Sequence, residues 1–180
     1  ARNFFHLSAA MYDAWAIVNE QGSPYLIGNN VNGFNSEFDS FSNTSEYINE
    51  INSISYAAYR LILHRFNNSP SYERISAKAN SLMTLLALDL NYLESDGYEE
   101  NSADLGNYIA EQYIDYGLID GSNEQSDYIN QYYEPVNEPL APIFSGNPTI
   151  SNPNRWQPLS LDIFVDQSGN VLSETTPEFL

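Results

Sequence analysis

Two histidines, His6 and His64, are the only imidazoles in the chain. They sit on separate predicted helices with no His, Cys, Asp or Glu at metal-ligand spacing, so packing or helix-surface roles are expected. Asp13, on the first predicted helix, faces a small set of possible cationic partners. Arg60 and Arg65 lie on the second helix, and the whole sequence has six Lys and Arg. A buried Asp13–Arg link between those helices is the expected use of some of these cations, and removing one partner of such a link would be costly. Asp89, Asn91, Glu94 and Asp96 suggest calcium, but that chemistry needs a glycine at the sixth position of the loop, where Glu94 stands. A solvated helix end is expected there. No nucleophile elbow, phosphate-binding loop or dinucleotide fingerprint is present. Carboxylates are too numerous for any pair to stand out as a glycosidase acid and nucleophile. The sequence has no cysteine, which excludes disulfides, zinc thiolates and thiol nucleophiles. These residues assemble no nucleophile, base and anion hole, so no catalytic, cofactor-binding or metal-ligating residue is assigned.

Composition narrows the partners. The chain has 180 residues and a net charge of −18, leaving almost nothing to neutralise phosphates, so nucleic acid is excluded as a partner. The same charge argues against docking on anionic membranes, and no apolar run approaches the roughly 18 residues of a membrane span. At 42% hydrophobic residues the chain has the means to build a core. Self-repulsion at this charge should make stability salt-sensitive.

The expected fold class is mainly α: a bundle of four helices over 1–121, then a Pro-rich irregular extension over 122–180. The first helix has its apolar stripe at Phe4, Leu7, Met11, Ala14 and Val18, and Gly22 and Pro24 end it. A long loop follows, anchored by Phe34, Phe38 and Phe41. The second helix is expected to open at Asn43 with Glu46 completing a capping box, and to carry Tyr47, Ile51, Ile54, Ala58 and Leu61. Ser69-Pro70 starts the third, whose stripe runs Ile75, Ala79, Leu82, Leu86, Leu90 and Leu93 to a stop at Gly97. The fourth begins near Asn101-Ser102, with Leu105, Ile109 and Tyr113 on one face, and ends by Gly117 or Gly121. Seven of the nine prolines fall between Glu134 and Glu178, which nearly excludes helix there. A short hairpin over 161–172 is expected. The uncapped start and the apolar finish at Phe179-Leu180 lead to the expectation of a segment cut from a longer protein at both ends.

Ala1-Arg2-Asn3-Phe4-Phe5-His6-Leu7-Ser8-Ala9-Ala10-Met11-Tyr12-Asp13-Ala14-Trp15 resembles the first core helix of vanadium-dependent haloperoxidase-like proteins, in the type 2 phosphatidic acid phosphatase superfamily. Residues 53–61, 105–122 and 153–159, the last followed by Asp166-Gln167-Ser168-Gly169, look like the same group, and Pro153-Asn154-Arg155-Trp156-Gln157-Pro158-Leu159 is the most specific stretch. The resemblance implies a helical fold that holds vanadate, or phosphate as substrate, on a Lys, two Arg, a Ser-Gly-His run and a metal-bonding His. An oxyanion needs such converging donors. This chain lacks the set: Lys78 has no downstream Arg-Pro partner, and Ser145-Gly146 and Ser168-Gly169 are each followed by Asn. The implied role is therefore that of an N-terminal helical half, with the C-terminal half of the same protein as its partner. Peroxide-driven halide oxidation or phosphate ester hydrolysis would then be the whole protein's activity. An apolar face left uncovered would favour homo-oligomers. The alternatives are a secreted helical module that binds glycans on its tyrosines, and a family member that lost its chemistry. The acidity and the absence of cysteine suit a secreted or periplasmic protein.

Overall fold

The computed structural model describes residues 1–42, 49–141, 145–160, 164–165 and 170–172. It is mainly helical and divides into two units, Ala1–Gln125 and Ser126–Leu180.

The first unit holds four helices: α1 (Arg2–Asn19), α2 (Glu50–Arg65), α3 (Tyr72–Leu85) and α4 (Ser102–Ile119). Helix α2 is central and packs against each of the others, while α3 packs chiefly against α2. The Ser102 hydroxyl accepts from the Asn49 amide at 2.7 Å, tying the starts of α2 and α4 together. At Gly106 an added Cβ would lie 2.5 Å from the Ser53 carbonyl oxygen and 2.7 Å from Tyr56 Cβ, so only glycine allows this closeness of α4 to α2. Both helices are capped by asparagine: Asn49 Oδ1 accepts from the Ile51 amide at 2.9 Å and Asn101 Oδ1 from the Ala103 amide at 2.8 Å. The core gathers Ala10, Ala14, Ile17, Leu26, Ala57, Leu61, Leu105, Ile109 and Tyr113.

Helix α4 matches its expected start, and Leu105, Ile109 and Tyr113 are fully buried. The other stripes hold in part: Ala14, Val18 and Leu61 are buried, and Leu7 and Ile54 pack half-buried against the core. In α1 the buried residues are His6, Ala10, Asp13, Ala14, Ala16, Ile17 and Val18, while Phe4 is 78% exposed and Met11 lies at the surface. The cause is Asp13, whose backbone partners lie inside, together with alanines that let neighbouring helices approach. Helix α2 begins at Glu50, capped by Asn49; the expected Asn43–Glu46 box lies outside the described residues. Helix α3 stops at Leu85 rather than near Gly97, and Ala87 sits at φ 56°, a left-handed conformation that ends a helix. Of its residues only Met83 is buried, and Leu82 and Leu85 are 56% and 80% exposed.

The loop after α1 contains a two-residue hairpin, β1 (Asn30–Val31) with β2 (Phe34–Asn35), in which Val31 pairs Phe34. Its turn residues Asn32 and Gly33 have φ 51° and 88°, the type I′ arrangement that suits the twist of the strands. Phe34, Phe38 and Phe41 pack against the core as expected.

In the second unit, Asn137 is buried and holds the 151–156 segment. Its Oδ1 accepts from the amides of Ser151 (3.0 Å) and Asn152 (2.8 Å), and its Nδ2 donates to the carbonyls of Asn152, Arg155 and Trp156. The 151–156 segment thus closes around one side chain, Gln157 donates to the Glu138 carbonyl, and Leu140 bridges Leu159 in parallel. The expected hairpin is present as β3 (Phe164–Val165) with β4 (Val171–Leu172), Val165 opposite Val171; its turn lies outside the described residues.

Candidate functional site

The two histidines that stand 58 positions apart in the sequence come together. The first turns of α1, the last turn of α2 and the end of α4 meet at one end of the bundle, bringing Arg2, His6, His64, Arg65, Asp120 and Glu124 into a single network. Arg2 donates through Nε to Asp120 and through Nη2 to Glu124 Oε2 at 2.6 Å. Arg65, whose side chain is 2% exposed, pairs with Glu124. Its Nη2 donates to the Tyr113 carbonyl at 2.8 Å and to His6 Nδ1 at 3.1 Å. With Nδ1 accepting, the proton of a neutral His6 sits on Nε2, which lies 3.4 Å from Asp120 Oδ2. His64 Nε2 is 3.0 Å from Glu124 Oε1.

Local structure explains why the charges gather here. His64 and Arg65 occupy the last turn of α2, where its dipole favours cations. Arg2 Nη2 donates to the Gly117 carbonyl at 3.0 Å, satisfying one of the orphan acceptors at the end of α4. Gly117 makes room for both guanidinium groups: a Cβ there would stand 2.2 Å from Arg65 Nη2 and 2.8 Å from Arg2 Nη2.

Burial pushes the His6 pKa from 6.5 down to about 4, assisted by Arg65 and Arg2, while Asp120 opposes. Burial also lowers His64, again with Arg65 and Arg2, against Asp115. Burial raises the Asp120 carboxyl, but the hydrogen bonds from Arg2 and Ser122 outweigh it and hold the group below the usual carboxylate range. At neutral pH the network therefore comprises two guanidinium groups, two carboxylates and two neutral imidazoles, and its charges cancel.

That balance decides the test for vanadate or phosphate. An oxyanion binds where cationic donors converge on open space. Here Arg2 and Arg65 already converge on carboxylates, so an added anion would meet Asp120 and Glu124 as well. Lys78 is exposed on α3. Arg60 donates to Asn107 Oδ1 at 3.2 Å and to the carbonyls of Leu90 and Tyr92. These residues do not fit the group, and no step of oxyanion chemistry follows from them.

The expected Asp13–Arg link is absent. Asp13 is fully buried and takes four donors: the amides of Tyr25, Leu26 and Ile27 at 2.5, 2.9 and 3.3 Å, and the Tyr113 hydroxyl at 3.0 Å. Burial raises its carboxyl, and these donors pull it back. Burial and the Asp13 charge push the Tyr113 phenol far above its ordinary value. Asp13 thus pins the chain after α1 onto α4. The Asp89–Asp96 stretch is a turn segment and not a helix end, since α3 stops at Leu85. Arg60 grips its carbonyls, Asn107 Nδ2 donates to the Tyr92 and Glu94 carbonyls, and Asp89 accepts from the Asn91 amide. Among the described residues, no three His, Asp or Glu side chains are grouped to hold a metal ion.

The sequence reading assigned no site residue and missed this network. The available signal was a pair of cation-capable residues at each of two helix ends, Arg2 with His6 and His64 with Arg65. It becomes meaningful only once α1 and α2 are known to run antiparallel.

Met11 of α1, Ile54, Ala58, Tyr59 and Ile62 of α2, and Ala79, Leu82 and Met83 of α3 line an open, mostly apolar cavity of about 140 Å3. Comparison of the chain with family models, with curated proteins and with solved structures found no match.

Proposed function

We propose that this chain is the N-terminal helical part of a vanadium-dependent haloperoxidase-like or related acid phosphatase enzyme. Its role is to form one side of the bundle around an oxyanion site carried by the C-terminal half of the same protein. The observation that carries this reading is the apolar groove. Met11, Ile54, Ala58, Ala79 and Leu82 belong to three separate stripes with helical core spacing, and all five line that one open cavity. Leu82 remains 56% exposed there. Amphipathic stripes bury themselves against another element, and stripes that converge on open space fit a bundle whose remaining helices come from elsewhere.

The charge distribution agrees. Arg2 and Arg65 are already paired with Asp120 and Glu124 within the first unit. This half therefore serves as scaffold, and the oxyanion ligands implied by the resemblance fall to the C-terminal half. The ion network, neutral and largely buried, fixes the ends of α1, α2 and α4 relative to one another.

The test is an assay of the natural full-length protein. Peroxide-driven oxidation of bromide or iodide that depends on added vanadate would support the haloperoxidase branch, and hydrolysis of phosphomonoesters the phosphatase branch. Folded full-length protein with neither activity would contradict the proposal.

A further inference from the structure

A second cavity, about 150 Å3 in volume, opens between α2, α4 and the turn segment that follows α3. Its wall combines one cation and one anion, Arg60 and Glu111, with Asn107 and the apolar Leu93, Ala110 and Ile114. Arg60 is held rigidly. Nε donates to Asn107 and Nη2 to two carbonyls, and the guanidinium carbon sits 5.2 Å from the Tyr59 ring centroid. These contacts leave Nη1 without a hydrogen-bond partner among the described residues, and no carboxylate there forms an ion pair with Arg60. Asp89 acts on it only from a distance. This contrasts with Arg2 and Arg65, which each hold a carboxylate.

Glu111 is an exposed residue of the lining; Ser95 donates to it and the nearby Asp115 and Asp96 add negative charge. The cavity thus has a guanidinium with spare donor capacity, an exposed carboxylate and apolar walls, with its two opposite charges on one cavity and not paired to each other. A cavity of about 150 Å3 holds a group the size of benzene, so the part of a ligand seated here is about the size of a small amino acid. A simple carboxylate would suit Arg60 but be repelled by Glu111, and a simple amine the reverse. A ligand bearing both charges satisfies both.

We propose that this cavity binds a small zwitterionic amino acid, its carboxylate on Arg60 and its ammonium on Glu111, with any methyl group against Ala110 and Ile114. The site stands apart from the haloperoxidase reading and survives its failure.

The experiment is ligand-observed NMR on the full chain with glycine, alanine and β-alanine, set against acetate and methylamine. Arg60 Nε–H chemical shifts give the location. The expected result is binding of at least one zwitterion about tenfold or more tighter than acetate or methylamine, with the Arg60 signal moving. Glu111→Gln, at an exposed position, should abolish that preference by weakening zwitterion binding and strengthening acetate binding, since the ammonium loses its partner and the carboxylate loses a repelling charge. No zwitterion binding at tens of millimolar overturns the proposal. So does acetate binding as well as alanine, or a Glu111→Gln protein that keeps its preference.

Discussion

Replacing His6 by glutamine tests the ion network through its pH dependence. In the folded protein burial holds His6 at about 4, against 6.5 for an unperturbed ring. The sign follows from proton counts. Near pH 7 the ring is neutral in both states. Between 6.5 and about 4 the unfolded chain takes up a proton that the folded chain refuses, so stability falls as pH falls, and the loss is complete below about 4. The fall in pKa corresponds to about 3 kcal/mol at most, because a charged ring would move toward Asp120 and recover part of it. A competing effect opposes this: the net charge of −18 is relieved as carboxylates protonate, which stabilises the fold on acidification. A single pH curve therefore mixes two terms of opposite sign. Glutamine separates them, since its oxygen can accept from Arg65 and its amide can donate to Asp120 without titrating. Urea unfolding of both proteins at pH 7, 6, 5 and 4 cancels the shared carboxylate effect. The two should agree within about 1 kcal/mol at pH 7, and the variant should become the more stable by about 2–3 kcal/mol at pH 4. A gap that stays constant with pH, or one that widens in favour of the wild type, would refute the assignment of a buried neutral His6.

Other expectations are more direct. Gly117→Ala gains about 1 kcal/mol of helix propensity but drives a methyl group into both guanidinium groups, and disrupting the buried Arg65–Glu124 pair costs about 3–5 kcal/mol. A net destabilisation of about 2–4 kcal/mol by urea unfolding is expected, and a variant more stable than wild type would show that Arg65 can move away freely. Asp13→Asn turns an amide NH2 toward donors that need an acceptor, at a cost of about 2–4 kcal/mol; Tyr113→Phe, which removes one donor only, should cost about 1 kcal/mol. Raising salt from about 10 mM to 150 mM shortens the screening length from about 30 to 8 Å, so thermal stability should rise; a flat response would mean the −18 charge is already locally balanced.

The elements that sequence revealed best were those fixed locally. Asn101 before an apolar 3–4 repeat marked α4 because the cap and the stripe are adjacent in the chain. The stripe of α1 was right at Ala14 and Val18 but not at Phe4 and Met11, which face outward, because a polar residue, Asp13, takes an innermost place, and its four donors come from residues 25–27 and 113. Hydropathy cannot register such a partner set. Leucine spacing carried α3 too far, since Leu90 and Leu93 keep the period although Ala87 has already turned the chain. The Asn32-Gly33 pair between Val31 and Phe34 was a readable hairpin signal hidden within a long polar loop. The ion network was not legible, because its six residues come from three helix ends and one turn whose adjacency is a tertiary fact. The stripes of α1, α2 and α3 were legible as apolar faces, yet spacing alone does not say whether a face meets its own unit or another segment.

A photo-crosslink shows directly what the groove of α1, α2 and α3 meets. Benzoylphenylalanine in place of Leu82, in the natural full-length protein, places a reactive ketone in the groove of α1, α2 and α3. Irradiation followed by peptide mass spectrometry should give a link within the same polypeptide, to a segment beyond Leu180. A probe that remains unlinked and open to solvent, or that links only to a second molecule, would contradict a bundle completed by the protein's own C-terminal half.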